Sequence, residues 1–417
     1  LVLGGGVAGI EACSSLSSPW RRGYLVERNV HLGGTAASLQ GMLPEKGDIR
    51  HHLEVKISDL MRDKGVEVLA DHRLESVVGY YGNFEVKVTP NAGQGTPRDL
   101  KVGALVLATG AQLFDPAKMS GYGSGKVEDV ITSLQLEERS RSGIIALANG
   151  SLPRSVAMVH CVGREVKGYC SKVCCSYGVK LSYNLKQMLP DINIIHFFSN
   201  LCIPGKRAQA FFEETISKGV EMVRASQILV YQGTVGPKVD FMDEGGAARS
   251  LDVDMVVLLS ALEPNAGAQG LAELLDISQD RNGFFSRKHE NLGAMASDRE
   301  GVFIAGCADG PKGIKESEVQ AQAAAGAILA SLIPGKRMDV EVKTSHIEDA
   351  IWQGCKTCIA VCPFGAITFD AQRKIAVVNE VMCRGCGSCV AACPSGAATV
   401  KHFTYDQIYQ EIVEALR

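Results

Sequence analysis

Half of the chain's 14 cysteines fall between residues 355 and 393, at the spacing of a ligand set. Cys383-x2-Cys386-x2-Cys389-x3-Cys393-Pro394 puts four thiolates on short loops, where each can take one iron of a [4Fe–4S] cluster. Upstream, Cys355-x2-Cys358-x3-Cys362-Pro363 repeats the pattern with one member missing; counted back, the first position holds Trp352. In two-cluster arrangements the last cysteine of each run serves the other cluster. Cys362 then completes a site with Cys383, Cys386 and Cys389. Cys355, Cys358 and Cys393 form a second site that lacks a thiolate. Three outcomes stay open there: a [3Fe–4S] cluster, a replacement such as Asp349 or Glu348, or an empty site.

A second concentration lies mid-chain, where Cys161, Cys170, Cys174 and Cys175 fall within 15 residues. An adjacent pair and an x3 spacing are rare among buried structural cysteines, so these four are expected to hold a further [4Fe–4S] cluster. Cys13 and Cys202 stand alone and read as ordinary thiols. In a large glycine-rich chain, such thiols imply metal or redox chemistry in a reducing, cytoplasmic compartment rather than disulfides.

A third chemistry is written in glycine. Gly4, Gly6 and Gly9 form G-x-G-x-x-G after the strand pattern Leu1–Leu3 and at the start of a helix. That arrangement lets backbone approach a dinucleotide diphosphate at a helix N-terminus. Glu27, 18 residues beyond Gly9 and at the end of the next strand, is placed to bind an adenosine ribose. Three segments favour FAD, because they resemble two-dinucleotide-domain disulfide reductases. They are His31-Leu32-Gly33-Gly34, the Ala108-Thr109-Gly110 strand end, and Gly301–Gly310 as the late return to the flavin. Cys307 stands where those enzymes carry a ribityl-binding Asp, and Asp309 is the nearby substitute. At the place of their second, nicotinamide-binding turn the chain reads Val159-His160-Cys161-Val162-Gly163-Arg164, with no glycine fingerprint, so direct oxidation of NAD(P)H is disfavoured.

The elements that must position these groups alternate strand and helix. Tyr24–Val26, Ala104–Gly110, Ser155–Val159, Asn193–Ile195, Met255–Leu259 and Gly301–Gly306 read as strands of doubly wound α/β domains. An Ala-rich helix is expected at 318–332. The expected organisation is two dinucleotide-binding folds of the disulfide-reductase or thioredoxin-reductase kind plus a C-terminal α+β ferredoxin module. The flavin domain takes 1–150 and 266–335, and a nucleotide-fold-like domain with the mid-chain cysteines takes 151–265. A linker at 336–345, the ferredoxin domain at 346–403 and a terminal helix at 404–417 follow. Residue 1 falls inside a strand pattern, so the native chain is expected to begin upstream. A net charge of −3 offers no footprint for nucleic acid, and no apolar run reaches the roughly 18 residues of a membrane span.

Taken together, the segments resemble the A subunit of heterodisulfide reductase and its relatives. The carriers are Gly4–Gly9, Gly121-Tyr122-Gly123 with Val130–Ser133, Cys161–Arg164 with Tyr169-Cys170-x3-Cys174-Cys175, Gly306-Cys307-x2-Gly310-Pro311-Lys312, and the terminal cysteine runs. The resemblance implies an oxidoreductase subunit in which FAD exchanges electron pairs and, in some members, bifurcates them. It implies a homodimer within a larger complex holding B- and C-like subunits and a hydrogenase or other dehydrogenase module. It also places Lys312 near the flavin, where a cation stabilises the reduced ring. Residues 41–60 contain no cysteine, so they show no inserted ferredoxin domain. The competing readings are a self-contained NAD(P)H:acceptor oxidoreductase and a non-enzymatic iron–sulfur scaffold or redox sensor.

Overall fold

Unbroken apolar runs suit strands covered on both faces, and in the computed structural model they form two five-stranded parallel sheets. All residues are described except 19, 41–48, 92–94, 144, 290, 334, 337–343, 381 and 417. The expected linker at 336–345 therefore lies mostly outside the described residues. The chain divides into two units, residues 1–334 and 335–417.

In the first sheet the order is Val302–Ile304, Leu105–Leu107, Val2–Leu3, Gly23–Val26, Val66–Leu69. Neighbours are parallel throughout, with Val2 opposite both Val106 and Leu25. Helix Val7–Leu16 covers one face and packs against helix Ile314–Ser331. The small side chains Ala321, Ala324 and Ala325 are buried, which suits a close approach of two backbones. That second helix begins four residues ahead of the expected 318.

The second sheet runs Val220–Arg224, Asn193–Phe198, Ser155–Val162, Met255–Ser260, Val130–Thr132. Val130–Thr132 pairs in parallel with Val256–Leu258. The chain thus enters this sheet well before residue 151, where the sequence reading began the second domain. It leaves the first sheet along Ala111–Leu113 and comes back along Leu262–Pro264, and these two strands pair antiparallel. Two antiparallel three-stranded sheets escaped the sequence reading: 72–80, 83–90 and 98–102, and 226–232, 237–242 and 248–252.

The second unit is small. Ser345–Ile347 pairs with Ala398–Val400, and Ile367–Asp370 with Ile375–Val378. Two four-residue helices, Thr357–Ala360 and Ser388–Ala391, each carry one buried cysteine, Cys358 and Cys389. Helix Tyr405–Ala415 buries none of its residues. Among the described residues no helix is long and apolar enough to cross a membrane.

One buried ion pair stands inside the larger unit. Lys180, on helix Val173–Met188, meets Glu137 on helix Ser133–Arg141, with side chains 6% and 1% exposed. Glu137 also accepts the amide of Gln40 at 3.0 Å, which ties the first-sheet side of the unit to the second. Lys180→Met should leave a buried, unpaired carboxylate and cost about 3–5 kcal/mol. Lys180→Met with Glu137→Leu should recover most of that loss in denaturant unfolding.

Candidate functional site

The loop after Val2–Leu3 is tight enough to exclude any side chain. Gly4 has φ +106°, and a Cβ there would lie 2.4 Å from the Ala108 carbonyl oxygen. A Cβ on Gly9 would lie 1.8 Å from the carbonyl oxygen of Gly4. Gly6 differs: its nearest neighbour would be the Gly34 Cα at 3.9 Å, so backbone is open to a ligand here. Gly33 and Gly34 both have positive φ and start a short 3-10 turn opposite, with Gly33 N donating to Gly5 O at 2.7 Å. No side chain caps helix Val7–Leu16 and its first turn has no acid, which leaves a positive helix end for an anion.

Glu27 is buried and follows Gly23–Val26. Its Oε2 accepts the Gly5 amide at 2.6 Å and its Oε1 accepts the Asn29 amide at 2.8 Å. A carboxylate has about four acceptor positions, so two remain for ribose hydroxyls. Thr109 and Gly110 end the strand Leu105–Leu107, and the Thr109 hydroxyl is buried with no hydrogen-bond partner. An orphaned hydroxyl beside a glycine-lined cradle fits an FAD that would satisfy it.

The late segment arrives where the resemblance expected it, with different contacts. Gly306 has φ +70°, and a Cβ on it would meet the Ala8 Cβ at 2.8 Å, which sets residues 306–309 against the first helix. Asp309 is fully buried and engaged: Oδ2 accepts from Arg287 Nε at 2.5 Å and from Gln320 Nε2 at 2.8 Å, and Oδ1 pairs with Lys312. Lys312 Nζ also donates to the carbonyls of Gly306 at 3.1 Å and Gly310 at 3.3 Å. The Lys312 ammonium thus spends its three N–H groups on Asp309 and these two carbonyls, while the Asp309 carboxylate accepts three hydrogen bonds and keeps a fourth acceptor position. Both hold the Gly306–Gly310 turn in shape. Burial pushes the Cys307 thiol up, and its Sγ donates to the Lys312 carbonyl at 3.3 Å. Arg287 and Gln320 carried no motif that could have flagged them.

In the second sheet the turn after Ser155–Val162 is built for something other than a diphosphate. Gly163 has φ +85° and is packed against the Phe114 ring, 2.5 Å from where its Cβ would be. Only the four-residue helix Arg164–Lys167 follows, and the long helix starts at Val173. The intervening loop carries Cys170, and Cys161 sits at φ +62° at the strand end. A hydrogen bond to Cys161 is the main reason that the Arg164 cation is favoured, followed by the charges of Cys161, Cys170 and Cys174. Cys174 hydrogen-bonds to Cys175 and holds it well below the usual thiol range; burial opposes this, while His160 adds to the lowering. Cys174 is correspondingly pushed up. The four expected thiols thus share one electrostatic neighbourhood. Cys202, read as isolated, joins it: burial raises its thiol first, then the charges of Cys170 and Cys175. Its loop follows Asn193–Phe198, the strand beside Ser155–Val162, so adjacency in a parallel sheet was the available signal. Cys13 is a core thiol, pushed up to about 11 chiefly by burial.

Behind the thiols runs a buried polar chain. His160 Nε2 lies 2.7 Å from His196 Nδ1, and His196 Nε2 lies 2.6 Å from the Ser182 hydroxyl. Burial holds His196 well below the ordinary histidine range, so it is neutral.

In the second unit, Cys362, Cys383, Cys386 and Cys389 line one cavity with Ser345 and Arg384. Their sulfurs meet donors: Ala366 N reaches Cys362 at 3.3 Å, Ser345 N reaches Cys383 at 3.3 Å, and Ser345 Oγ lies 3.1 Å from Cys389. The Ser388 hydroxyl holds the Cys386 thiol down, which favours the thiolate that binds metal. Cys355, Cys358 and Cys393 sense one another's charge as a separate group. Among the described residues no three His, Cys, Asp or Glu side chains converge on a point that would hold a single ion. A cluster asks for a different arrangement, because each thiolate takes its own iron.

Comparisons with known proteins agree with this geometry. Residues 1–326 match the family described as pyridine nucleotide-disulphide oxidoreductase, and residues 353–397 match a 4Fe-4S dicluster domain. The A subunit of the ferredoxin/F(420)H(2)-dependent CoB-CoM heterodisulfide reductase of Methanosarcina acetivorans is 28% identical over 89% of this chain and 58% of its own length. The A subunit of the H(2):CoB-CoM heterodisulfide,ferredoxin reductase of Methanothermobacter marburgensis is 29% identical, over 89% of this chain and 69% of its own. The chain therefore spans somewhat more than half the length of these relatives, and the resemblance read from its motifs is borne out. Thioredoxin reductase of T. acidophilum shares the fold of 79% of the chain, over 96% of its own, with a TM-score of 0.55 at 13% identity. The HOCl-induced flavoprotein disulfide reductase RclA of Escherichia coli covers 83% of the chain and 74% of its own, with a TM-score of 0.54 at 14% identity.

Gly9→Ala forces a methyl group into the Gly4 carbonyl. It should lower FAD affinity at least tenfold, about 1.4 kcal/mol. Flavin absorbance per chain after dialysis, with FAD titrated back in, measures this.

Proposed function

The chain belongs to the pyridine nucleotide-disulphide oxidoreductase family, and on that premise we propose that it is an FAD- and iron–sulfur-dependent electron-transfer subunit of a complex resembling heterodisulfide reductase. The observation that carries this reading is the turn after Ser155–Val162. Where a nicotinamide diphosphate would need bare backbone, the chain puts Phe114 against Gly163 and then a loop of cysteines. Electrons therefore enter and leave through clusters and partner proteins.

FAD supplies the exchange between electron pairs and single electrons, and the clusters carry single electrons. Gly4, Gly6 and Gly9 hold the diphosphate, Glu27 the ribose, and Gly33, Gly34, Thr109 and Gly110 line the remainder of the cradle. Cys161, Cys170, Cys174 and Cys175 ligate the mid-chain cluster, and Arg164 offsets their charge. Cys362, Cys383, Cys386 and Cys389 ligate a [4Fe–4S] cluster in the second unit. Asp309 and Lys312 keep the Gly306–Gly310 turn against the flavin site. Partners are B- and C-like subunits and a hydrogenase or other dehydrogenase module, with a homodimer at the centre.

The purified full chain, reconstituted with FAD and iron–sulfur clusters under anaerobic conditions, separates this from a self-contained NAD(P)H oxidoreductase. NADH or NADPH alone should leave the flavin band intact, whereas dithionite should bleach it and reduce the clusters. Stoichiometric bleaching by either nicotinamide would sink the reading. Flavin and clusters that fail to exchange electrons would leave a scaffold or sensor.

A further inference from the structure

The dicluster family implies eight thiolates, and the described residues do not meet that demand. The family match begins at residue 353, directly after the position where the first ligand is due. That position is Trp352, whose indole N–H is a donor with no lone pair to give a metal. Neither acid considered as a replacement is placed to serve. Asp349 Oδ2 is bound by Arg373 at 2.8 Å, and Glu348 is an exposed residue beside the Ser345–Ile347 strand. Trp352 itself is fixed, stacked on Phe369 with ring centres 6.1 Å apart, and packed into the apolar cluster that includes Cys358 and Cys393. Its Nε1 is buried and has no hydrogen-bond partner. A buried orphan donor is destabilising, and a bound acceptor would relieve it.

We infer that Cys355, Cys358 and Cys393 hold a [3Fe–4S] cluster, with Trp352 standing in the chain where a fourth thiolate would be due. Three thiolates match three irons one to one, and no iron is left needing a ligand that the polypeptide lacks. This rests on the crossed ligation proposed above, in which Cys362 belongs to the complete [4Fe–4S] site.

The test uses the full chain with clusters reconstituted anaerobically and poised with a mild mediator such as thionine, which oxidises a three-iron cluster without stripping iron from a four-iron one. An oxidised [3Fe–4S] cluster is paramagnetic and gives a nearly isotropic EPR signal, whereas an oxidised [4Fe–4S] cluster is silent. The expected result is that signal at about one spin per chain, retained in Trp352→Phe and lost in Trp352→Cys, which supplies the fourth thiolate and gains one iron. An EPR-silent oxidised protein overturns the inference: iron matching a full set of [4Fe–4S] clusters then means a recruited ligand, and iron short by a whole cluster means an empty site. Dithionite-reduced samples keep the two readings apart. If the [4Fe–4S] signal and flavin bleaching persist there, the electron-transfer reading stands while the three-iron site falls.

Discussion

A parallel sheet brings the C-terminal ends of its strands to one edge, and the chemistry of residues 1–334 hangs from that constraint. In the first sheet, Gly4–Gly9, Glu27, Thr109-Gly110 and Gly306–Asp309 each follow a neighbouring strand. Residues as far apart in sequence as Gly4 and Asp309 thereby lie along one edge. The second sheet repeats the geometry with other contents: Cys161 ends one strand, and the loop with Cys202 follows its neighbour. One architecture thus offers two equivalent edges. The residues at each differ, glycines with an acid at one and cysteines at the other.

What was legible in the sequence follows from locality. The glycine fingerprint and the cysteine runs are short-range patterns whose spacing is their chemistry, so they could be read directly. The parallel strands could be read because burial on both faces leaves unbroken apolar runs. The antiparallel sheets were missed because their strands are half exposed, as in His72–Tyr80, where only Leu74 is buried. Long-range polar partners were illegible for a different reason. Arg287 and Gln320 meet Asp309 only because two other segments converge on one buried carboxylate. That convergence makes Asp309 a support of the turn that carries it. The nearness of Cys202 to the other thiols was hidden in the same way, since nothing near it in sequence is a thiol.

The second unit shows a duplicated design losing its symmetry. Thr357–Ala360 and Ser388–Ala391 are equivalent helices, each preceded by a residue with positive φ. In the intact half that residue is Gly387, which adopts φ +77° freely; in the altered half it is Lys356 at φ +59°. The Lys356 ammonium lies 3.9 Å from the centre of the Phe369 ring, the ring on which Trp352 is stacked. Lys356, Phe369 and Trp352 thus form one cationic and aromatic stack beside the altered half.

The buried His160–His196–Ser182 chain has a direction. A neutral His196 carries a single N–H, so its two hydrogen bonds must run the same way. With the proton on Nδ1, His196 donates to His160 Nε2 and accepts from Ser182, and the His160 proton lies on Nδ1. With the proton on Nε2, every bond reverses and the Nδ1 of a neutral His160 becomes a bare lone pair. His160 stands beside Cys175, and its Nδ1 has no other partner. The Cys175 sulfur, held well below the usual thiol range, has no proton to offer and can only accept one. It therefore sets the polarity of a three-residue relay, fixing the sense of its dipoles through the core without moving any net charge.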